Sequence, residues 1–317
     1  MPIPRSPWFA ATLVATFGLY SCGAGSGAGA ARATVRDVIA VASAPAELIA
    51  SLSVGPAGVE RLGADAETGA LAWAPSDADL KALVTARRVL LLGNEFEPWA
   101  QRAGLPPSRT ITLAGGLSPD AVLTTATVSH THGQGPAHSH GGAVPTTWTD
   151  PALLRAMVHG AGELLTGVLQ TPEGPGAADA AVARHQSFGE ELLAYEEALE
   201  ALKSKAAGRR LFAVAHGLEY IARAAEMPLL VTLLEIEAGG GRNDHAAALL
   251  EQAASEPGHA GVLVWPGPID EDFAKVAKEQ LALTSVRVEL GYGGDGDGLI
   301  QRLTQSVTHL TAAIAGE

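Results

Sequence analysis

Four of the ten histidines in this 317-residue chain fall within eleven residues, as two His-x-His pairs, His130 with His132 and His138 with His140. Residues 129–142, which hold both pairs, are interrupted by glycines and by Pro136, so the stretch reads as a loop. Neutral imidazole suits Zn, Cu, Ni and Fe, and two pairs on a loop can close on a divalent ion without a preformed cage. Metal contact is therefore the chemistry this stretch offers. Its plain alternative is chance clustering on a solvated loop. The chain has no His-Glu-x-x-His, no Gly-x-Ser-x-Gly, no phosphate-cradling glycine loop and no catalytic cysteine, which argues against a hydrolase. No catalytic residue is assigned.

Composition narrows the partners. Asp and Glu number 34 against 21 Lys and Arg, a net charge of −13, which disfavours nucleic acid and an anionic membrane surface and makes a cation the more natural partner. With 47% hydrophobic residues the chain buries a large core, and with 5% aromatics that core is mostly aliphatic.

The start of the chain reads as an export signal. Arg5 precedes an uncharged run over residues 8–20, the length of a signal peptide's apolar region and too short for a permanent membrane span. It ends in Leu19-Tyr20-Ser21-Cys22, which resembles the lipobox of bacterial lipoproteins and marks residues 1–21 as signal peptide. Cys22 is the sole cysteine, so it forms no intramolecular disulfide and fits a lipid anchor; an ordinary cleaved signal is the alternative. Residues 22–33 then read as a lipidated, flexible Gly/Ala/Ser tether.

What positions the histidines is a repeated α/β pattern. Residues 37–42, 59–62, 87–93 and 109–113 read as strands, with helices at 45–52, 76–86 and 95–103. After the His loop come strand candidates at 210–215, 229–236, 261–265 and 286–290, and a last helix at 299–314. Between the halves, Phe188, Leu192, Tyr195, Leu199 and Leu202 step by four and three, an apolar seam on a helix over 177–206. At ~1.5 Å per residue that helix is about 45 Å long, enough to lie along two domains. His185 is read as a packing residue of the same seam. The expected fold is α/β, with two lobes, each a four-stranded mostly parallel sheet, joined by one long rigid helix. The N-terminal lobe covers 34–175, the linking helix 176–207 and the C-terminal lobe 208–317. Ligands of such sheets bind beyond the carboxyl ends of the strands, here the cleft between lobes.

The order of these features resembles a known family. Lipobox, α/β lobe, His-rich loop, Thr147-Trp148-Thr149-Asp150-Pro151, long helix and a strand running into His216 look like the zinc- or manganese-binding lipoproteins of bacterial ABC importers, the cluster A-I solute-binding proteins. Gly93-Asn94-Glu95-Phe96-Glu97-Pro98-Trp99 is similar to that family's Gly-x-x-x-Glu-x-Trp, and His216 to Tyr220 loosely resembles its His-x-x-x-x-Tyr segment. The resemblance implies an exported, lipid-anchored, monomeric binding protein that hands a divalent ion, Zn2+ first and Mn2+ or another ion second, to a membrane permease. The lipid would be its only contact with the membrane.

It also implies a site of three histidines and one carboxylate, and here the chain departs. The family's first histidine is missing between residues 64 and 73, and Thr146 stands where its second would be. His216 matches. The carboxylate falls near Glu289, with Asp295 and Asp297 just beyond. Either the site is rebuilt, with His138 or His140 reaching in from the adjoining loop, or the chain no longer binds metal in the family's way and captures another small ligand. A metal-dependent hydrolase is the third reading. His140 lies six residues before Thr146, a reach of about 20 Å if extended. Glu97 and Trp99 are read as structural, and Asp150 as the N-cap of a helix starting at Pro151.

Overall fold

The computed structural model describes residues 38–316 apart from 42, 64–72, 94, 95, 98, 131–137, 167–175, 207, 232–260, 293–295 and 297. Cys22, the signal segment and tether, His132, Asp295 and Asp297 lie outside the described residues.

In the first sheet β1 (Val38–Val41), β2 (Val59–Leu62), β3 (Val89–Leu91) and β4 (Thr110–Thr112) are all parallel, in the order β2-β1-β3-β4. A two-stranded antiparallel ribbon follows, β5 (Thr124–His130) with β6 (His138–Ala143). The second sheet repeats the first winding with β7 (Arg210–Ala213), β8 (Leu229–Val231), β9 (Gly261–Trp265) and β10 (Thr284–Arg287) in the order β10-β9-β7-β8, again all parallel. In both sheets the first strand lies between the second and third. The chain therefore leaves it in opposite directions, which opens a crevice at its carboxyl end.

The helices obey their local signals. The Ser43 hydroxyl accepts the Ala46 N–H at 3.3 Å and caps α1 (Ala44–Val54). Ser76 and Asp79 form a capping box at the start of α2 (Asp77–Thr85). Asp150 accepts from the Ala152 and Leu153 N–H groups at 2.9 and 3.0 Å, the N-cap role expected of it before α3 (Pro151–Thr166). The long helix is α4 (Ala177–Lys205), followed by α5 (Glu219–Ala224), α6 (Glu271–Leu281) and α7 (Leu299–Ala315).

All five seam residues of α4 are buried, and α4 packs along α7 and also touches α1, α3 and α5. One core runs through both sheets and the helix between them, so Val35–Glu317 forms one compact unit. The seam starts at Phe188. His185 is exposed, contrary to expectation, because the buried stripe has not yet begun there; its neighbour Arg184 covers Gly55 at the end of α1 instead.

Three further expectations are corrected. The helix expected at 95–103 is absent from its described residues, where turns run to Gly104. Glu97 is the reason: its carboxylate accepts the Leu92 and Gly93 N–H groups at 2.8 and 2.9 Å, folding the chain back on the end of β3. The described parts of the His-rich stretch, residues 129–130 and 138–142, are strands of a ribbon and not a free loop; residues 131–137 lie outside the described residues. The strand expected at 286–290 is Thr284–Arg287, so Glu289 lies after it.

Candidate metal site

His216 stands at the carboxyl end of β7, the switch point of the second sheet, in the turn that leads to α5. The turn needs glycine at its centre. Gly217 has φ +129°, and a Cβ there would lie 2.5 Å from Leu290 Cδ1 and 2.7 Å from the Tyr292 hydroxyl. Glu219 closes the turn with both carboxylate oxygens. Oε1 lies 2.5 Å from His216 Nδ1, and Oε2 accepts the Gly217 N–H at 2.6 Å. The Glu219 side chain is 14% exposed and that of His216 34%. A carboxylate on Nδ1 keeps the proton there and leaves the Nε2 lone pair free, as for a histidine prepared to ligate.

The floor of the cleft is closed. Thr146 is fully buried and donates its hydroxyl to the Gly217 carbonyl at 2.9 Å, so the residue standing where an imidazole was expected spends its polar group on the His216 turn. Beside it Trp148, fully buried, donates Nε1 to the Leu290 carbonyl at 2.6 Å. Tyr292 stacks on Phe96 at 6.2 Å and meets Trp148 edge-on at 5.7 Å. Burial, and next the charge of Glu219, push the Tyr292 phenol well above its ordinary range.

The ribbon is rooted next to His216. The Tyr220 hydroxyl accepts the Leu123 N–H at 3.1 Å and donates to the Val144 carbonyl at 3.4 Å, while Val144 N–H donates to the Leu123 carbonyl at 2.8 Å. Residues 123 and 144 flank β5 and β6, so the ribbon springs from the start of α5, one residue after Glu219. Arg223, farther along α5, completes the root by donating to the Ala121 carbonyl at 3.2 Å and to Asp150 Oδ2 at 2.7 Å. Within the ribbon, His130 is the register partner of His138, and His140 that of Val128. Such partners have Cα atoms about 4.5–5.5 Å apart.

Glu289 is already paired. Its Oε1 pairs with Arg287 Nη2 at 3.1 Å and the side chain is 48% exposed. Among the described residues no three His, Cys, Asp or Glu side chains form a group that could hold a metal ion. Glu97 is structural, as expected: it is buried, and desolvation raises its pKa to about 7 against the opposing pull of its backbone hydrogen bonds. His159 and His309 are exposed, His159 lying 3.5 Å from Glu163. An open cavity of about 380 Å³ lined by Lys203, Arg209 and Glu226 lies at the opposite end of β7 from His216 and plays no part in the site.

Sequence reasoning missed the orienting role of Glu219. The signal was present as a carboxylate three residues after His216 at a helix start.

A family model described as the periplasmic component A of zinc-uptake complexes, ZnuA, matches residues 63–313. Comparison with curated proteins gives no match. Among solved structures, the solute-binding protein FpvC of Pseudomonas aeruginosa in complex with Mn2+ is 15% identical, with a TM-score of 0.65 over 89% of this chain and 99% of that one. The periplasmic zinc-binding protein TroA of Treponema pallidum is 16% identical, with a TM-score of 0.64 over 89% and 99%. A crystal structure of ZnuA is 17% identical, with a TM-score of 0.61 over 88% and 99%. At these identities the likeness is one of fold, and it covers both lobes and the helix between them.

Proposed function

The chain belongs to the family of the periplasmic component A of zinc-uptake complexes, and from that premise we propose that it captures zinc at a site rebuilt around His216 and delivers it to an ABC permease. It is a metal solute-binding protein of such an importer; the family's work is capture and delivery, not catalysis. The finer reading is a divergent cluster A-I member, exported, lipid-anchored through Cys22 and monomeric. Residues 34–175 and 208–317 would form its lobes.

One observation carries the site. His216, at the switch point of the second sheet, has its Nδ1 held by Glu219 and its Nε2 unclaimed by any described partner. The ribbon bearing His130, His138 and His140 rises from Tyr220, four residues on. In this reading those histidines and His132 stand in for the lost imidazoles, and Asp295 supplies the carboxylate in preference to Glu289, which is paired with Arg287. Zinc is the cargo, and Mn2+ or another divalent ion remains compatible with the ligand types.

A second reading has its own observation: the Thr146 hydroxyl and the Phe96–Trp148–Tyr292 packing fill the floor of the cleft. A chain of this kind would capture a different small ligand higher in the cleft. Native mass spectrometry of the exported chain with zinc, then with chelator, separates the two. One retained ion per chain, absent from His216→Ala, supports the rebuilt site. No retained metal and a co-purifying organic mass supports the second.

A further inference from the structure

The connection from β10 to α7 touches the other lobe at three places within seven residues. The Leu290 carbonyl takes the Trp148 Nε1–H, and Tyr292 packs on Phe96 and Trp148. The third contact is of a different kind. The Gly296 N–H donates to Glu47 Oε2 at 2.7 Å across 249 residues of sequence. Glu47 lies in the first turn of α1, the helix that follows β1 as α5 follows β7 after the turn of His216.

We propose that Glu47 is a positioning residue, a latch that holds the β10–α7 connection of the second lobe on α1 of the first and so sets how fast bound metal leaves. The same carboxylate oxygen also accepts from Arg61 Nη1 at 3.0 Å. Arg61 lies in β2 with its side chain 9% exposed, so the carboxylate is also held from within its own lobe. A charge-assisted N–H···O⁻ bond at 2.7 Å, partly shielded from water and placed near the positive end of a helix, is worth more than an ordinary surface contact. The approach also requires glycine: a Cβ on residue 296 would lie 2.6 Å from the Leu48 nitrogen and 3.1 Å from the Ala44 carbonyl, both backbone atoms of α1.

The effect on metal release rests on the proposed zinc site, whereas the latch itself does not. The test uses the exported chain, Glu47→Ala and Gly296→Ala, the second leaving the Arg61 pair intact. Hydrogen exchange of peptides spanning 290–299 reads the latch without metal, and stopped-flow zinc release to a chelator reads its consequence. Faster exchange in both variants and zinc release accelerated about tenfold are expected. Unchanged exchange overturns the latch, and faster exchange with unchanged release overturns its positioning role. If the unaltered chain binds no zinc, the proposed function fails by itself, and exchange alone then decides the latch.

Discussion

Trp148 Nε1 donates to the carbonyl of Leu290 at 2.6 Å, tying together residues 142 positions apart, one before α3 and the other just past β10. The bond is fully buried and spans the two sheets, so the cleft floor on which the site rests is fastened from both sides. Replacing Trp148 by Phe keeps much of the ring but leaves the Leu290 carbonyl without its donor. We expect a loss of about 3 kcal/mol in chemical denaturation. An unchanged midpoint would mean the bond is not a fastening.

The Tyr220 hydroxyl bonds both sides of the His ribbon's root, at Leu123 and Val144, while its ring packs beneath them. Tyr220→Phe should therefore preserve the fold within about 1–2 kcal/mol while weakening zinc binding, because the ribbon's root beside His216 would lose both hydroxyl bonds and keep only the ring packing, the backbone bond and Arg223. Isothermal calorimetry together with a melting curve checks both halves of this expectation.

Glu219 orients His216 and contributes no ligand in this account. Glu219→Gln should lower zinc affinity about 10- to 100-fold, as for other partners of metal-bound histidines, and competition with a chromophoric chelator measures it.

Glu97 predicts a pH dependence of stability. Burial raises its pKa from 4.5 to about 7 in the folded state, so the folded protein holds this proton more tightly than the unfolded chain does. Stability from this group is present in full below the unfolded value and declines as pH rises from 4.5 to about 7. Relative to Glu97→Gln, which does not titrate, the unaltered chain should lose about 3 kcal/mol across that window in urea unfolding. A difference between the two proteins that is flat with pH would contradict the assignment.

The seam of α4 should behave as core. Leu192→Ala and Leu202→Ala each remove a fully buried side chain and should cost about 2–5 kcal/mol, while a substitution at exposed His185 should cost almost nothing. The helix holds both lobes, so scattering profiles with and without zinc should show no large compaction.

The sequence made the seam and the parallel strands legible because both write themselves in local periodicity. Phe188 to Leu202 repeat every three or four residues, and runs such as Val89-Leu90-Leu91 are too apolar to alternate faces. The ribbon is not legible as strands because β5 and β6 are built mostly from Thr, Ser, His, Gly and Ala, with no alternating hydrophobic pattern, and they are tied at their base by Tyr220. The turns after β3 have helical spacing, and nothing local shows that Glu97 will bond back to Leu92 and Gly93. The fate of Thr146 and the meeting of Gly296 with Glu47 were hidden for a simpler reason: each partner is far off in the chain, and one lobe must be laid on the other before the pair exists.

The central claim is that His216 anchors a metal site completed by the ribbon. The direct measurement is a calorimetric zinc titration of the exported chain without Cys22, beside His216→Ala and a deletion of residues 130–140. The account predicts tight 1:1 binding in the first, its loss in His216→Ala and its weakening in the deletion. Weak, multi-site binding that survives His216→Ala and vanishes only with the ribbon would contradict it.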